Sequence, residues 1–183
     1  MPSQRRYAAN GSQATISVSG LPARQLVEQS VWVGPLRIGI VDDVVLGADI
    51  AIVLGVIVAT TAGRHCSLPW IAARVRSDGS VEGAGTTMLL AEAELEYYLR
   101  SGTRLSRVLG LVVADDRKGD AVVGDVLIGP GGQVEGFVVS DGPRTRPIAH
   151  ADTRVRWSEG QLLELSVTEP GRPEPTRSLR SAV

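Results

Sequence analysis

The sequence predicts a mainly β protein in which two small β-barrels stand in tandem, joined by a helix. An apolar stretch at residues 38–58, IGIVDDVVLGADIAIVLGVIV, returns in a weaker form at residues 120–139, DAVVGDVLIGPGGQVEGFVV. An internal repeat of this kind decides how a chain is divided. Between the two copies, residues 88–100 (MLLAEAELEYYLR) are rich in strong helix formers.

The two copies align when Asp43 is set against Asp125. One residue drops out after the turn, so that residues 54–58 then fall on residues 135–139. Each copy consists of an apolar strand, a glycine-containing turn and a second apolar strand. The predicted strands of the repeat are Ile38–Leu46, Ile50–Thr60, Ala121–Ile128 and Gln133–Ser140.

Shorter strands are predicted to follow in each half. They are Arg64–Pro69, Ala73–Arg76 and a strand from Val81 onward in the first half, and Arg144–Ile148, Thr153–Trp157 and Leu162–Val167 in the second. Thr15–Ser19 alternates and predicts a further short strand, whereas residues 23–31 fit either a helical turn or a strand. The central helix places Leu95, Tyr98 and Leu99 on one face, and we expect its tyrosines to face a module.

These patterns divide the chain into five parts. Residues 1–24 are a flexible N-terminal segment, 25–87 the first barrel, 88–108 the connecting helix, 109–168 the second barrel and 169–183 a flexible tail. A module of about 70 residues buries only about 60% of its unfolded surface. We therefore expect the modules to pack on each other, on the connecting helix or on a partner.

The charge distribution disfavours a nucleic-acid partner. Of the net charge of −1, residues 1–24 carry +3 and residues 170–183 carry +2, which leaves −6 on residues 25–169. Nucleic-acid binding needs a basic face on the folded part of a protein. The basic ends are predicted to be solvated tails.

Localisation signals are few. Cys66 is the only cysteine, so no disulfide can form within the chain, which fits a cytoplasmic location. The N-terminus lacks the apolar region of a secretory signal. The uncharged run from Ile50 to Ala62 has 13 residues, too few to cross a bilayer. We expect no transmembrane segment, and peripheral membrane association stays open.

Four motifs of the first half form a recognisable set: Gly39-x-Val41-x-Asp43-Val44-Val45-Leu46, Val53-Leu54-Gly55-Val56-Ile57-Val58, Leu68-Pro69-Trp70 and Val75. As a set, these motifs resemble the PRC-barrel family, small β-barrels found in the photosynthetic reaction-centre H subunit and in a ribosome-maturation factor. The helix and its exit, AELEYYLRSGTRLSRVLG, also resemble the connector of bacterial tandem PRC-barrel proteins. The resemblance covers roughly residues 25–168.

The second copy departs from this pattern at two places. Ala121 stands where the first copy has Gly39, and Arg146-Pro147-Ile148 stands in place of Leu68-Pro69-Trp70. The resemblance implies a docking fold that has no conserved catalytic group and meets a protein partner through a barrel face or an exposed edge. A fold alone does not determine a function.

No catalytic, cofactor-binding or metal-ligating residues are predicted. Neighbours on a strand point to opposite faces, so Asp42 and Asp43 cannot share a ligand, and Asp43 is expected to be buried and bonded to backbone amides. The pair Asp115-Asp116 lacks the order of a calcium loop. One cysteine and two histidines, Cys66, His65 and His150, are too few for a structural zinc site or a converging catalytic pair.

The remaining motifs are interpreted structurally. The sequence GPGG at residues 129–132 joins two strands and is therefore a turn, because a phosphate loop joins a strand to a helix. The tryptophans Trp32, Trp70 and Trp157 suit either binding hot spots or packing between the modules. Trp70 is the preferred packing anchor.

Three functional hypotheses follow. The favoured one is a non-enzymatic bacterial adaptor or scaffold that binds an unknown protein partner or self-associates as a homo-oligomer through its barrels. The second is an RNA- or ribosome-associated assembly factor, which the acidic middle disfavours. The third is a small-molecule or enzymatic site in a cleft between the modules, lined by polar residues of both copies. No cofactor is implied by any motif.

Overall fold

The computed structural model describes residues 18–89, 92–114, 121–158 and 161–167. Over these ranges the protein is mainly β, as predicted, with curled sheets. The described strands are β1 (Leu21–Pro22), β2 (Ser30–Val33), β3 (Leu36–Gly47), β4 (Val53–Thr60), β5 (His65–Pro69), β6 (Ala73–Val75), β7 (Val81–Gly83), β8 (Gly102–Arg104), β9 (Val112–Ala114), β10 (Ala121–Ile128), β11 (Val134–Asp141), β12 (Arg144–Ala149), β13 (Thr153–Ser158) and β14 (Gln161–Val167).

Helical segments separate some of these strands. The described helices are α1 (Glu92–Ser101), α2 (Leu105–Val108) and one-turn 3-10 helices at Ala23–Gln25, Trp70–Ala72, Thr86–Met88 and His150–Asp152. The region left open between a helical turn and a strand contains both, since a 3-10 turn precedes β2. Val18 and Ser19 are not in a strand. The rest of that predicted strand, Asp115-Asp116 and the tail from residue 168 lie outside the described residues.

The strands form two seven-stranded sheets with the same internal order. The first sheet runs β5-β4-β3-β2-β7-β6, and the second runs β12-β11-β10-β9-β14-β13. Each sheet contains one parallel pair, β2 with β7 in the first and β9 with β14 in the second. The other described pairings, such as β3 with β4 and β10 with β11, are antiparallel. The two halves therefore share one topology.

The repeat extends to the irregularities of the central hairpins. The β3–β4 register shifts between Val41 and Asp43, and the β10–β11 register shifts between Val123 and Asp125. Such a bulge re-aims the side chains that follow it. The alignment of Asp43 with Asp125 therefore matches the strand pairing residue by residue.

The second strand of the first hairpin begins later than predicted. Ile50 and the residues around it form the turn, in which the N–H of Ile50 donates to the carbonyl of Gly47 at 2.9 Å. Ile50 has a φ of +55°, a conformation that is strained for a β-branched residue. Its side chain is fully buried, so apolar contacts stabilise a turn that the sequence pattern did not show.

The two halves exchange short strands. β1 precedes the first sheet in the chain but pairs with β10 of the second sheet, Leu21 lying opposite Ile128. β8 precedes the second sheet but pairs with β3 of the first, Thr103 lying opposite Leu46. Because β2 pairs only with the beginning of β3, β8 supplies hydrogen-bond partners to its far end.

One apolar core joins the halves. It includes Leu26 and Leu105 from the segments that cross between the sheets, Leu46 from β3, and Val126 and Phe137 from the second sheet. Phe137 is the largest of the fully buried side chains described. Burying such side chains contributes about 1.5–3 kcal/mol each, so each half depends on residues donated by the other.

Helix α1 covers the outer face of the first sheet with leucines. Leu95 packs on Val45 and Ile57, and Leu99 lies beside them. The expectation that the tyrosines face a module is wrong for Tyr97, whose side chain is 69% exposed. Residues two apart on a helix lie on nearly opposite sides, so the leucine face turns this tyrosine outward.

Candidate functional site

Asp43 is buried where β3 meets the start of α2. Its Oδ1 accepts hydrogen bonds from the backbone N–H of Val44 at 2.8 Å and of Ser106 at 3.3 Å, and its Oδ2 accepts one from the Ser106 hydroxyl at 2.6 Å. The predicted burial and the bonding to backbone amides are both confirmed. Both oxygens of this carboxylate accept structural hydrogen bonds, and these bonds join the first sheet to the start of α2.

Asp125 holds the equivalent place in the second half. Its Oδ1 accepts from the backbone N–H of Val126 at 2.8 Å and of Arg24 at 3.1 Å, and Arg24 belongs to the segment that crosses from the N-terminus. Partial burial raises the pKa of the Asp125 carboxyl above its ordinary value of 3.8, because desolvation outweighs the hydrogen bonds that favour the charged form. In each repeat, one aspartate therefore accepts hydrogen bonds from the segment that precedes the other repeat: Asp125 from Arg24, and Asp43 from Ser106.

The raised pKa of Asp125 predicts a stability change with pH. Above pH 3.8 the folded state binds more protons at this site than the unfolded state, so its contribution to stability is lost as pH rises through the folded pKa. Asp125→Asn keeps the acceptor oxygen and removes the titration. Urea unfolding from pH 4 to pH 7 should therefore show a smaller loss of stability with rising pH in this variant than in the wild type. Identical slopes for wild type and Asp125→Asn would contradict the assignment.

The histidine and the cysteine of β5 do not form a reactive pair. His65 lies 3.6 Å from Asp42, between its Nε2 and the carboxylate Oδ2, and both side chains are about half exposed. The Cys66 Sγ lies 3.9 Å from the carbonyl oxygen of Val58. Burial raises the pKa of the Cys66 thiol, which disfavours the nucleophilic thiolate.

Two buried polar atoms lack a hydrogen-bond partner among the described residues: His150 Nε2 and the Ser67 hydroxyl. The His150 ring stacks on Phe137 with 6.0 Å between ring centroids. Ser67 is on β5 of the first sheet, whereas His150 follows β12 of the second. The two atoms therefore belong to different sheets, and no hydrogen bond between the described residues joins either of them to a group that could activate it.

Trp70 packs between the halves, as predicted. A side chain built on Gly132 would collide with the indole ring of Trp70, so this ring lies directly on the turn that joins β10 to β11. Gly132 also has a φ of +85°, which favours glycine. Trp32 is half-buried on β2, and the side chain of Trp157 lies outside the described residues.

An open groove runs between α1 and the turn that joins β3 to β4, and we call it the α1 groove. Its volume is about 510 Å³, and it is lined by Gly47, Ala48, Asp49, Ile52, Leu54, Tyr97, Tyr98 and Ser101. Ile52 is 49% exposed there. The rings of Tyr97 and Tyr98 meet edge to face with 6.3 Å between centroids. The groove presents aromatic and aliphatic surface with one carboxylate.

A second pocket of about 370 Å³ lies on the β6–β7 hairpin. The charged groups that line it bond to one another or to their neighbours. Arg76 pairs with Glu82 at 2.9 Å, and Asp78 accepts a hydrogen bond from the Ser80 hydroxyl at 2.6 Å. Hydrogen bonding to Arg76 lowers the pKa of Glu82, and hydrogen bonding to Ser80 lowers the pKa of Asp78. Neither this pocket nor the α1 groove is lined by residues of both sheets.

Sequence reasoning missed the α1 groove. A signal for Tyr97 was present, since it lies two residues from both Leu95 and Leu99 and so falls off the apolar face of the helix. No comparable signal existed for Ile52, because its exposure follows from the strained turn at Ile50. The groove brings together Ile52 from the β3–β4 turn and Tyr97 from α1, which are far apart in the chain.

Comparison with known proteins gives no match to any family model or to any curated protein. Among the described residues, no three histidine, cysteine or acidic side chains cluster in a way that could hold a metal ion. No helix in the described ranges has the length and apolar character needed to cross a membrane.

Proposed function

We propose that this protein is a non-enzymatic adaptor that binds a segment of another protein in the α1 groove. The observation that carries the proposal is the exposure of large apolar side chains in one concave site, above all Tyr97 and Ile52. Tyrosine contributes strongly at protein interfaces because it buries a large rigid ring and keeps a polar hydroxyl. Grooves formed by a helix and a sheet suit extended or helical peptides.

The size and charge of the groove indicate the kind of partner. Eight residues line it, fewer than the roughly 20–30 residues on each side of a standard subunit interface. The exposed carboxylate of Asp49 lines it, and the middle of the chain is acidic. The partner segment should carry one or two apolar anchors beside a lysine or arginine.

The architecture belongs to the proposal as well. We infer that the two curled sheets are two PRC-type barrels in tandem, joined by α1, as the sequence resemblance implies. Their shared strand order, their equivalent bulges and the 3-10 turns that follow β5 and β12 support this inference. A cytoplasmic location is proposed because the single cysteine cannot form a disulfide within the chain.

The test begins with affinity capture and continues with the purified partner. Tyr97→Asp should weaken binding at least about tenfold, which corresponds to about 1.4 kcal/mol, as measured by calorimetry. Because Tyr97 is largely exposed, its replacement should change the free energy of unfolding by no more than about 0.5 kcal/mol. Weaker binding by this variant would therefore result from a lost contact with the partner and not from unfolding.

Leu36→Asp is the matched control. Leu36 is 61% exposed, and it lies at the opposite end of the 12-residue strand β3 from Gly47. This variant should bind like the wild type. Equal loss in both variants, or in neither, would refute binding in the groove.

Two other hypotheses predict different results. If the protein self-associates through the groove, light scattering will show a dimer that Tyr97→Asp converts to a monomer. If it is an RNA- or ribosome-associated factor, binding to ribosomal RNA will fall steeply with salt and will not respond to Tyr97→Asp. Either result would overturn the proposed function.

A further inference from the structure

The two tyrosines of the α1 groove form a corner of aromatic surface. The ring planes of Tyr97 and Tyr98 stand at 85° to each other, with 6.3 Å between centroids, and both residues line the groove. The face of an aromatic ring is electrostatically negative and attracts a cation that lies within about 6 Å of the ring centroid. Two rings at nearly a right angle offer such attraction to one cation from two sides.

The turn between β3 and β4 adds a negative charge to the same groove. A Cβ built on Gly47 would be 3.3 Å from Oδ1 of Asp49 and 3.2 Å from Cγ1 of Ile52, so the carboxylate and this aliphatic side chain lie side by side. Asp49 takes part in none of the ion pairs between the described residues. The described lining contains no basic residue, so no positive charge of the lining neutralises this carboxylate.

The arginine nearest to the two rings along α1 is paired with another residue. Arg100 follows Tyr97 by three residues, which is close to one helical turn. Its guanidinium pairs with Glu96 at 2.8 Å, and it does not line the groove. A cation that contacts the tyrosine rings must therefore come from a ligand.

The groove has few hydrogen-bond acceptors for such a cation. Oδ1 of Asp49 already accepts from the N–H of Ala51 at 3.0 Å, and Ile52 and Leu54 contribute only aliphatic surface to the lining. A primary ammonium group has three N–H donors that need acceptors once water is removed. A trimethylammonium group has no donors, and its methyl groups pack on aromatic rings in sites that recognise quaternary ammonium ligands.

We propose that the α1 groove recognises the trimethylammonium group of a methylated lysine on the partner segment, held against Tyr97 and Tyr98 and beside Asp49. This inference rests on the proposed function, because the lysine belongs to the segment that the groove is proposed to bind. Sites for free small molecules enclose most of their ligand. This groove is open and Tyr97 is 69% exposed, so a longer segment has to supply the remaining cover.

Nuclear magnetic resonance on the full chain tests the requirement for a charge. The probe is N-acetyl-trimethyllysine amide, and its control is the neutral analogue in which a tert-butyl group replaces the trimethylammonium group. The cationic probe should shift the ring signals of Tyr97 and Tyr98 and bind at least about threefold more tightly than the neutral analogue, because the two have the same shape and differ in cation–π attraction. Equal affinities, or shifts that do not saturate, would overturn the proposal.

Substitutions test the parts of the groove, with circular dichroism to confirm that each variant is folded. Tyr98→Leu keeps an apolar side chain without the ring and should weaken probe binding at least about threefold, whereas Tyr98→Phe should lose less. Asp49→Asn removes the charge, keeps the acceptor for Ala51 and should also weaken binding. Asp141→Asn is the matched control, since it removes an exposed carboxylate of β11 that does not line the groove, and it should bind like the wild type. Equal losses in Asp49→Asn and Asp141→Asn would contradict the role of Asp49.

Two further probes separate this inference from the proposed function. If N-acetyl-lysine amide binds as tightly as the trimethylated probe, methylation is not recognised and the inference fails, while binding of a partner segment in the groove stands. If choline binds more tightly than the trimethyllysine probe, the groove holds a free small cation, which overturns the lysine side chain as its source. Failure of the proposed function has a different sign, namely a captured partner whose binding does not respond to Tyr97→Asp.

Discussion

Replacing Asp43 with alanine should lower the free energy of unfolding by about 3 kcal/mol. Asp43 is 5% exposed, and its removal leaves the N–H groups of Val44 and Ser106 and the Ser106 hydroxyl without their acceptor. Unfolding in urea, followed by circular dichroism, measures the loss. A loss of this size identifies the carboxylate as the link between the first sheet and α2.

The neighbouring carboxylate supplies the control. Asp42 is exposed and contacts only His65 among the described ion pairs, so Asp42→Ala should change stability by no more than about 0.5 kcal/mol. Ser106→Ala should cost about 1 kcal/mol, and the double variant with Asp43→Ala should lose less than the sum because the two side chains share one bond. Equal effects of Asp42→Ala and Asp43→Ala would contradict the assigned role.

Replacing Gly55 with alanine should destabilise the protein by about 3 kcal/mol. The new Cβ would lie 2.5 Å from the carbonyl oxygen of Leu68 on the neighbouring strand, which is a backbone atom that cannot rotate away. The β4–β5 pairing must therefore separate locally. Gly136→Ala should have a similar effect, since its Cβ would collide with the carbonyl oxygen of Ile148 at the equivalent place.

Gly85→Ala controls for the general cost of adding a methyl group at a glycine. Gly85 has an extended backbone, and its Cβ would meet only the Thr87 hydroxyl, at 3.8 Å. This variant should match the wild type within about 0.5 kcal/mol in the same denaturation experiment. Equal stability of Gly55→Ala and Gly85→Ala would contradict the close approach of the β4 and β5 backbones at Gly55.

The long strands could be predicted because their side chains carry the information locally. β3, β4, β10 and β11 coincide with stretches that are rich in valine and other apolar residues and are joined in pairs by glycine-containing turns, which is the pattern of strands buried in a sheet. The buried role of Asp43 was predictable for the same reason, since a carboxylate inside an apolar strand needs donors. Its hydroxyl donor, Ser106, is 63 residues away, and no local pattern points to it.

The turn at Ile50 and the exposure of Tyr97 show two other limits. A β-branched residue with a positive φ breaks the usual preference, so the apolar run concealed the turn and the strand was predicted to begin too early. The helix pattern located the leucine face correctly, but whether the opposite side meets solvent or another element depends on the neighbouring strands. The α1 groove results from both of these features.

The order of strong local signals in the chain was enough to establish a mainly β protein with a repeated hairpin and a helix between the copies. Only the tertiary structure decided the partners of the two short strands: β1, which precedes the first copy, pairs with β10 of the second, and β8, which precedes the second copy, pairs with β3 of the first. β1 and β8 have two and three residues, too short to carry a period of hydrophobicity. Their partners are chosen by which backbone groups are left unpaired at the far ends of β10 and β3, and that is a property of the assembled sheets.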